Sequence, residues 1–468
     1  MQFIYRTIFS ALLLFCVISC ASQEVTKSEV SNDLVQLDVK EKILENGLKI
    51  LVVERHKLPI LSYYTTYMVG GVNERPGITG ASHFLEHMMF KGAKKYGAGF
   101  FDKFIEGSGG NNNAFTTNDI TVYFENMPAN SIDKIIDVEA DRMQNLLLEK
   151  ESFEKERQVV LEERKLRYEN SDQGKLYLST MMTLFLGTPY EIPVIGSIKD
   201  LKSVTRNEVQ AYFKNYYVPN NALVIVVGDV RAEDVFIEME KVYGKIPKGQ
   251  KIESLKERLN DSELFATKVR LPKRVKLNGQ TKNPLFMLAF PSVTATDEDS
   301  FALDILSSIL AGGESSALNL KMVLNDRPLL NTVYSMNYTL SKSGIFFIGG
   351  EVKKGMNLTT LKKRVLKQVR KTCENELNER SLKKVVNNYL IDDLSSLDTN
   401  AGIARMLSLR EAYYGDYNFY KTTLEKYQQV SVEDVREVCE KFIRPDKALY
   451  TTIWKKHPEG LADQRIRE

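Results

Sequence analysis

Two histidines and a glutamate lie within one helical turn of the sequence. The segment His83-Phe84-Leu85-Glu86-His87 has the pattern H-x-x-E-H. On an α-helix, positions i and i+4 differ by about 40° around the axis, so the two imidazoles face one point. Two imidazoles at this spacing suit a tetrahedral zinc ion. Glu86 projects about 60° to the other side of His83, where it can reach a water on the metal without being a ligand.

The alternative interpretation is a surface helix that carries incidental histidines. The whole chain of 468 residues has four histidines, so two within five positions are a rare coincidence. The neighbours Phe84, Leu85 and Met88 predict that the helix is buried. Buried ionisable groups cost free energy unless a partner compensates. The sequence therefore favours a metal site.

A second helical segment offers the third protein ligand that a catalytic zinc needs. Glu156 and Glu163 are seven positions apart, hence about 20° apart around a helix. Val159, Val160 and Leu166 are predicted on the same side, so both carboxylates would lie in an apolar stripe. We predict Glu163 as the ligand and Glu156 as a second carboxylate close to it. A solvated, charged face remains the interpretation for the other charged residues of this helix.

The composition indicates a globular protein of more than one domain. Hydrophobic residues make up 43% and charged residues 27% of the chain, which excludes a mostly disordered protein. The length predicts two or more domains. Lys plus Arg (64) nearly balances Asp plus Glu (61), and a formal charge of +3 does not argue for a nucleic-acid surface. We therefore predict no nucleic-acid partner.

The N-terminus reads as a targeting signal. Residues 7–18 form an apolar run with the size of a signal-peptide core, too short to span a bilayer comfortably. The run ends at a small residue before Cys20, which resembles a bacterial lipobox and predicts lipidation of Cys20. No acidic residue follows Cys20, so we expect a lipoprotein of the outer membrane that faces the periplasm. The alternatives are a plain secretory signal and an N-terminal anchor helix. Residues 1–19 would be the signal peptide and 20–38 a tether.

Four cysteines in a chain of this length do not form a disulfide scaffold. After removal of the signal and modification of Cys20, Cys373 and Cys439 remain as free thiols. Both lie in helical patterns, and burial as small apolar residues is the expectation. A disulfide between them is the open alternative.

The rest of the chain divides into two halves with the same plan. We predict an N-terminal domain at 39–249 that carries the metal site, a linker at 250–268 and a C-terminal domain at 269–468. Each domain is expected to be α+β, a sheet with helices packed on it. The predicted strands are 48–53, 60–69, 120–125, 222–227, 284–290, 344–350 and 448–454. One helix is predicted to begin at about residue 79. The other predicted helical stretches are 146–170, 297–310, 318–324 and 356–394.

These motifs together resemble the M16 family of metallopeptidases, which includes pitrilysin, insulysin and the mitochondrial processing peptidase. Besides the H-x-x-E-H turn and Glu163, the matching stretches are 77–82, 90–92, 113–116, 216–222 and 228–229. The similarity extends over nearly all of the mature chain and is weaker in the second half. A single two-domain unit resembles the short bacterial members, sometimes called M16B.

The resemblance implies roles for individual residues. His83, His87 and Glu163 would bind zinc, one ion per chain. Glu86 would be the general base toward the water on the metal, and Glu156 would support the site from behind the ligands. The segment Asn113-Ala114-Phe115 resembles the strand at the sheet edge where a peptide substrate adds. Short members pair as homodimers or heterodimers that close a chamber, so a partner chain of the same family is expected.

One departure from the family pattern concerns the second half. Family members often place an Arg and a Tyr there, seven residues apart, close to the substrate. The aligned positions hold Val323 and Leu330. Lys321, Arg327 and Tyr334 are near in sequence, and none can be assigned from the sequence.

Two functions follow from these motifs. The first is a zinc endopeptidase that cuts peptides or unfolded segments in the bacterial envelope, and the intact set of metal-site residues favours it. The second is a non-catalytic subunit that completes a chamber with a partner, and the missing Arg and Tyr are its support.

Overall fold

The structure is a computed structural model that describes residues 36–250 and 273–455. The predicted signal peptide, Cys20 and nearly all of the tether lie outside the described residues, as does almost all of the predicted linker at 250–268. From Asp38 onward the described residues belong to one compact unit. Within these residues, none of the helices combines the length and the apolar character that crossing a membrane requires.

Eleven strands in the described part of the chain form two sheets. The strands of the first sheet are β1 (Val39–Ile43), β2 (Lys49–Glu54), β3 (Ile60–Tyr67), β4 (Asn111–Thr116), β5 (Thr121–Pro128) and β6 (Ala222–Gly228). The strands of the second sheet are β7 (Arg274–Gly279), β8 (Leu285–Ser292), β9 (Leu330–Thr339), β10 (Gly344–Val352) and β11 (Leu449–Lys455).

The two sheets repeat one topology. The first has the order β1-β2-β6-β3-β5-β4 and the second the order β7-β11-β8-β10-β9. The pair β2 and β6 is parallel, as is the pair β7 and β11, and the other neighbours in each sheet are antiparallel. Strand β4 therefore corresponds to β9 at the edge of its sheet. The prediction of two similar α+β halves is confirmed.

The central strands are apolar on both faces because helices cover both faces. Every residue of β6 is buried. The α-helices of the first half are α1 (Ala81–Met88), α2 (Phe100–Gly107), α3 (Ile132–Asn145), α4 (Lys150–Arg164), α5 (Asp172–Leu184), α6 (Ile198–Ser203), α7 (Arg206–Tyr216) and α8 (Ala232–Tyr243). Those of the second half are α9 (Asp299–Ala311), α10 (Leu358–Lys371), α11 (Glu379–Ser396), α12 (Asn400–Tyr414), α13 (Tyr420–Gln429) and α14 (Val432–Phe442).

Each half gives one helix to the sheet of the other. Helix α5 belongs to the first half, yet Leu176 and Met181 are buried in the core of the second sheet with Met287. Helix α12 belongs to the second half and packs on β3 and β6. Its Ser408 Oγ lies 2.7 Å from Thr66 Oγ1 of the first sheet. The two halves therefore share their cores.

The predicted elements are found with shifted ends. The predicted helical stretch 146–170 is α4 followed directly by a π-helical turn, Lys165–Glu169. The predicted helix at 318–324 is a single π-helical turn, Asn319–Val323. The edge strand β1 has no fully buried residue, so its apolar pattern is too weak to predict a strand.

Cys373 and Cys439 are joined by a disulfide, with their Cα atoms 6.4 Å apart. Both side chains are buried, as expected. The expectation of two free thiols is wrong, because the fold brings the π-helical turn Thr372–Glu376 against α14.

Candidate metal centre

Helix α1 holds the H-x-x-E-H turn, and its start is fixed by the backbone around Gly80. Gly80 has a φ of +91°, and a Cβ there would lie 2.6 Å from the Ile195 carbonyl oxygen, so glycine is required. The Glu74 carboxylate accepts hydrogen bonds from the backbone N–H of Gly80 (2.6 Å) and of Ser82 (2.8 Å). A carboxylate in this position satisfies donors at the helix start that have no partner within the helix.

The structure brings His83, His87 and Glu163 together. Glu163 Oε2 lies 3.6 Å from His83 Nε2 and 3.3 Å from His87 Nε2. One ligand atom from each of the three lies within 4.8 Å of the other two, and this is the one such group of three in the described part of the chain. Tetrahedral ligands about 2.1 Å from a zinc ion are separated by roughly 3.4 Å. Two imidazole nitrogens and one carboxylate oxygen therefore fit a metal ion in number, type and spacing.

The two imidazoles have different electrostatic surroundings. Burial, together with the neighbouring His87, lowers the pKa of His83 to about 4, so this ring is neutral near pH 7. Burial also acts against the charged form of His87. Hydrogen bonds that the ring donates to Glu156 and Glu163 outweigh the effect of burial and raise the pKa of His87 to about 9. Both carboxylates thus favour positive charge at this point, which a metal ion would supply.

Glu156 lies behind His87, on the side away from Glu163. Its Oε1 is 2.8 Å from His87 Nδ1, and its Oε2 is 2.8 Å from Lys91 Nζ. Burial alone would raise the pKa of this carboxyl, but the bonds to His87 and Lys91 lower it. A charged Glu156 favours a proton on Nδ1, so a metal ion that displaced the other proton would meet the Nε2 lone pair at the shared point.

Glu86 lies beside this group and outside it. Thr116 Oγ1 donates a hydrogen bond of 2.5 Å to Glu86 Oε2, which ties the carboxylate to strand β4. Burial raises the pKa of Glu86, because the charged form loses water contacts. A carboxylate with these properties, next to three candidate ligands, can exchange a proton with a water at the metal position.

Helix α4 positions both of the other carboxylates, although part of the predicted apolar stripe is wrong. Glu156 and Val160 are buried, but Val159 is 49% exposed and Leu166 is 65% exposed. Helix α4 packs against α1, whereas Val159 and Leu166 are largely exposed to solvent. The predicted positions of Glu156 and Glu163 agree with the geometry. Of the three apolar residues that were used to predict them, only Val160 is buried.

Three side chains of the site were not predicted. Lys91 binds Glu156, Thr116 binds Glu86, and Arg167 Nη2 lies 2.9 Å from Glu163 Oε1. Lys91 and Thr116 lie in stretches that already matched the family motifs, so their position in sequence was a usable signal. Arg167 lies on the π-helical turn after α4, and its contact depends on that turn, which periodicity does not reveal.

The predicted substrate segment lies at the edge of the first sheet. Asn113, Ala114 and Phe115 belong to β4, which pairs with β5 on one side. Within the described residues no strand pairs with its other side. The Asn113 side chain accepts a hydrogen bond from the Ala114 N–H, and all three residues are at least partly exposed.

The second half does not bring the aligned positions to the metal centre. Val323 lies on a π-helical turn and Leu330 is buried at the start of β9. The Tyr334 hydroxyl accepts a hydrogen bond from Gln173 Nε2 at 3.2 Å. It is Tyr338, four residues further along β9, that lines the cavity beside His83.

The sequence profile described as Insulinase (Peptidase family M16) matches residues 66–197, which include all the candidate ligands. The zinc protease PqqE of Helicobacter pylori is 31% identical over 372 residues, which cover 78% of this chain and 81% of that protein. The chain belongs to the M16 peptidase family. Its residues 203–389, which include the end of the first half and much of the second, match the profile described as Peptidase M16 inactive domain.

Solved structures share the fold of this M16 chain. The crystal structure of a protease from Helicobacter pylori superposes with a TM-score of 0.81 at 26% identity, covering 90% of this chain and 100% of that one. The periplasmic protease PqqL of Escherichia coli superposes with a TM-score of 0.71 at 18% identity. It covers 90% of this chain and 48% of the PqqL chain, which shows likeness of fold alone.

Proposed function

We propose that this protein is a zinc-dependent endopeptidase that hydrolyses peptides or unfolded protein segments. The observation that carries the proposal is the convergence of His83, His87 and Glu163 on one point, with Glu86 beside it. The name of the Helicobacter pylori relative, a zinc protease, supports zinc as the metal.

The residues of the site would divide the work of hydrolysis. Bound zinc would polarise the scissile carbonyl and lower the pKa of a water toward about 7. Glu86 takes a proton from the attacking water as the new C–O bond forms, and gives it to the amine as the C–N bond breaks. Thr116 holds Glu86 in place, and Glu156 holds the His87 ring.

A substrate peptide would lie along strand β4. Its backbone would pair with the free side of Asn113, Ala114 and Phe115 as an added strand. Such pairing uses backbone hydrogen bonds and tolerates many sequences. The tie between Thr116 of the same strand and Glu86 supports this placement, since it brings the base next to the added strand.

We infer that the protein works in the bacterial envelope as an outer-membrane lipoprotein, attached through Cys20 and facing the periplasm. The apolar run before Cys20 supports export. The disulfide between Cys373 and Cys439 supports an oxidising compartment. A periplasmic protease with the same fold is consistent with that location.

For the assembly, we propose a homodimer or a heterodimer with another M16 chain that closes a chamber around the substrate. The domain limits 39–249 and 269–468 are part of this proposal. Its support is the resemblance to the short, two-domain members of the family.

Replacing Glu86 by Gln tests the mechanism. Loss of a general base lowers turnover by about 10²–10⁴-fold, while zinc content should stay at one ion per chain. The measurement is cleavage of fluorogenic peptides together with metal analysis. The control is Glu162→Gln, an exposed carboxylate on α4 one residue from Glu163. Wild-type cleavage by the Glu86 variant would contradict the mechanism.

A second candidate is a non-catalytic subunit that completes the chamber of a partner. The observations that favour it are the match of residues 203–389 to an inactive domain and the residues Val323 and Leu330. The test is peptide cleavage by the lone purified protein, with and without a chelator. Chelator-sensitive cleavage by the lone protein excludes this candidate. If the lone protein does not cleave the peptide and adding a partner chain produces cleavage, the result supports it.

A further inference from the structure

One surface of the second half is strongly basic. Residues 352–373 contain six lysines, two arginines and no acidic residue. They run from the end of β10 through helix α10. All of these basic side chains except the partly buried Lys362 are exposed, and we call the exposed ones the basic face: Lys353, Lys354, Lys363, Arg364, Lys367, Arg370 and Lys371. A cluster of about four to eight basic residues on an amphipathic helix is typical of a surface that binds anionic lipid.

The buried and the charged sides of α10 are opposite each other. Leu361, Val365 and Val369 are buried and lie within about 80° around the helix. Lys363 and Lys367 are each about 160° from the middle of that buried side. Because the apolar side of α10 is already part of the protein core, the helix offers a partner charge and no apolar side for insertion.

Most of the basic residues in this segment have no acidic partner. Arg370 pairs with Glu374 at 3.0 Å, and Lys371 pairs with Glu376 at 3.2 Å. Across residues 36–250 and 273–455, no carboxylate lies within ion-pair distance of the other six basic residues. Ordinary protein surfaces intersperse charges of both signs. The unpaired charges can therefore attract an anion from outside the protein.

Two residues at the edge of the second sheet add to the positive charge at the start of α10. Arg274 Nη1 donates a hydrogen bond of 3.4 Å to Thr359 Oγ1. Burial, and then the neighbouring charges of Arg274 and Lys273, lower the pKa of Lys362. The fold thus holds like charges close together although they repel each other. An anionic partner would relieve this repulsion.

The internal repeat indicates that the shared topology does not require a basic helix at this place. Helix α3 follows β5 in the first half as α10 follows β10 in the second, and β5 and β10 have the same place in their sheets. Helix α3 contains four acidic and two basic residues, whereas α10 contains six basic residues and no acidic one. The positive charge is therefore a property of this surface and not of the repeated fold.

The chemistry of the basic face favours a lipid surface over a nucleic acid. Residues 352–373 contain no aromatic side chain on which a base could stack. Six of their eight basic residues are lysines, whose ammonium groups on flexible stems act as point charges without the fixed fork of arginine. Such groups suit a diffuse layer of headgroup phosphates. The exposed side of a helix is also a shape that a flat bilayer can approach.

We propose that the basic face binds the anionic phospholipid headgroups of a membrane surface and thereby orients the protein on the membrane. The contact is electrostatic and peripheral, because α10 keeps its apolar side in the core. A lipid chain together with a polybasic patch attaches a protein more stably than one chain alone. The proposal goes beyond the proposed peptidase function, and it uses the proposed envelope location only in choosing lipid as the anion.

Partitioning of the full chain onto vesicles tests the proposal, with Cys20→Ser so that no attached lipid contributes. Vesicles of phosphatidylcholine with about one-third phosphatidylglycerol should bind at least about 10-fold more tightly than vesicles of pure phosphatidylcholine. The apolar run at residues 7–18 is present in both measurements, so the ratio of the two affinities removes its contribution. Added NaCl should reduce the ratio, because salt screens exposed charges. Equal affinities for both kinds of vesicle would overturn the proposal.

Paired substitutions assign the preference to α10. Lys363→Gln/Lys367→Gln removes two exposed charges and should weaken binding to the anionic vesicles by about 5-fold per charge, hence about 25-fold. Lys363→Arg/Lys367→Arg keeps the charges and should bind like the parent protein. The matched control is Lys199→Gln/Lys202→Gln on α6, which removes two exposed charges elsewhere. Equal binding by the two Gln pairs would overturn the assignment to α10.

Acetylation by a water-soluble ester reports which lysines meet the vesicles. With anionic vesicles present, mass spectrometry should show slower acetylation of Lys363 and Lys367 and an unchanged rate at Lys199 and Lys202. Equal protection of all four lysines, or protection of the control pair alone, would contradict contact through the basic face.

These measurements separate the lipid proposal from the other proposals and from a nucleic-acid partner. None of them involves peptide cleavage or zinc, so the proposed peptidase function and the vesicle preference can fail independently. Random duplex DNA is the competing anion. Binding of DNA without binding of anionic vesicles would overturn the choice of lipid, whereas vesicle binding that persists in excess DNA supports it.

Discussion

At the scale of single residues, the site depends on carboxylates of one helix that have different neighbours. Glu163 presents Oε2 to both histidines and Oε1 to Arg167. Glu156, two turns earlier on α4, contacts His87 Nδ1 with one carboxylate oxygen and Lys91 Nζ with the other. The same side-chain type can therefore act as a ligand in one position and as support for a ligand in the other, because the neighbours differ.

The support by Glu156 predicts an effect on metal affinity. Replacing Glu156 by Gln removes the charge that holds the His87 Nδ1 proton, and partners of this kind contribute about 10–100-fold to metal affinity. We expect zinc affinity, measured by competition with a chromophoric chelator, to fall within that range. Glu151→Gln, an exposed carboxylate on the same helix, is the control and should leave affinity unchanged. Unchanged zinc affinity in the Glu156 variant would argue against the supporting role.

At the scale of elements, the connection between α4 and α5 links the metal site to the second sheet. Glu163 lies in the last turn of α4, and the π-helical turn Lys165–Glu169 after it carries Arg167. Helix α5 then packs in the core of the other half. Asp172 at the start of α5 accepts backbone hydrogen bonds from Gln280 and Thr281 of the second half. The position of the ligand helix is thus tied to both halves.

Because α5 packs in the core of the second sheet, we expect its buried residues to contribute to the stability of the protein. Leu176 is fully buried against the second sheet, so Leu176→Ala should lower the free energy of unfolding by about 2–5 kcal/mol. Leu166→Ala, at a site 65% exposed, should change it by about 0.5 kcal/mol or less. Urea unfolding measures both. A large loss at Leu166 with none at Leu176 would contradict the observed packing.

At the scale of the whole molecule, the two halves share a sheet topology but differ in the functional residues they carry. The described part of the second sheet has the strand order of the first without a counterpart of β1, but the group of three candidate ligands in the described residues lies in the first half. The second half contributes α12 to the first sheet and Tyr338 to the cavity wall. The second half therefore contributes to the core of the first sheet and to the surroundings of His83.

The disulfide in the second half should stabilise the whole unit. Cys373 and Cys439 are 66 positions apart, and the loop between them contains α12. The chain-entropy account gives about 4 kcal/mol for a loop of this length. Reduction with dithiothreitol should lower the urea midpoint of the wild type. Dithiothreitol should have no effect on the urea midpoint of the C373S/C439S double variant. Equal urea midpoints for the oxidised wild type and the double variant would contradict a stabilising disulfide.

The sequence by itself predicted the candidate residues of the site and the plan of the fold. The common direction of His83 and His87 follows from helix geometry alone, and the seven-residue spacing of Glu156 and Glu163 places both carboxylates on one side of a second helix. Apolar stretches of the buried strands predicted the repeated sheet. These features depend on neighbours in sequence, so local spacing and periodicity are enough to predict them.

Only the tertiary structure decided what depends on distant neighbours. The exposure of Val159 and Leu166, the contacts of Lys91 and Arg167, and the position of Tyr338 beside His83 all depend on which elements pack together. The pairing of the two cysteines and the exchange of α5 and α12 are set in the same way. Periodicity predicts a face of a helix, but packing between elements far apart in sequence determines what that face meets.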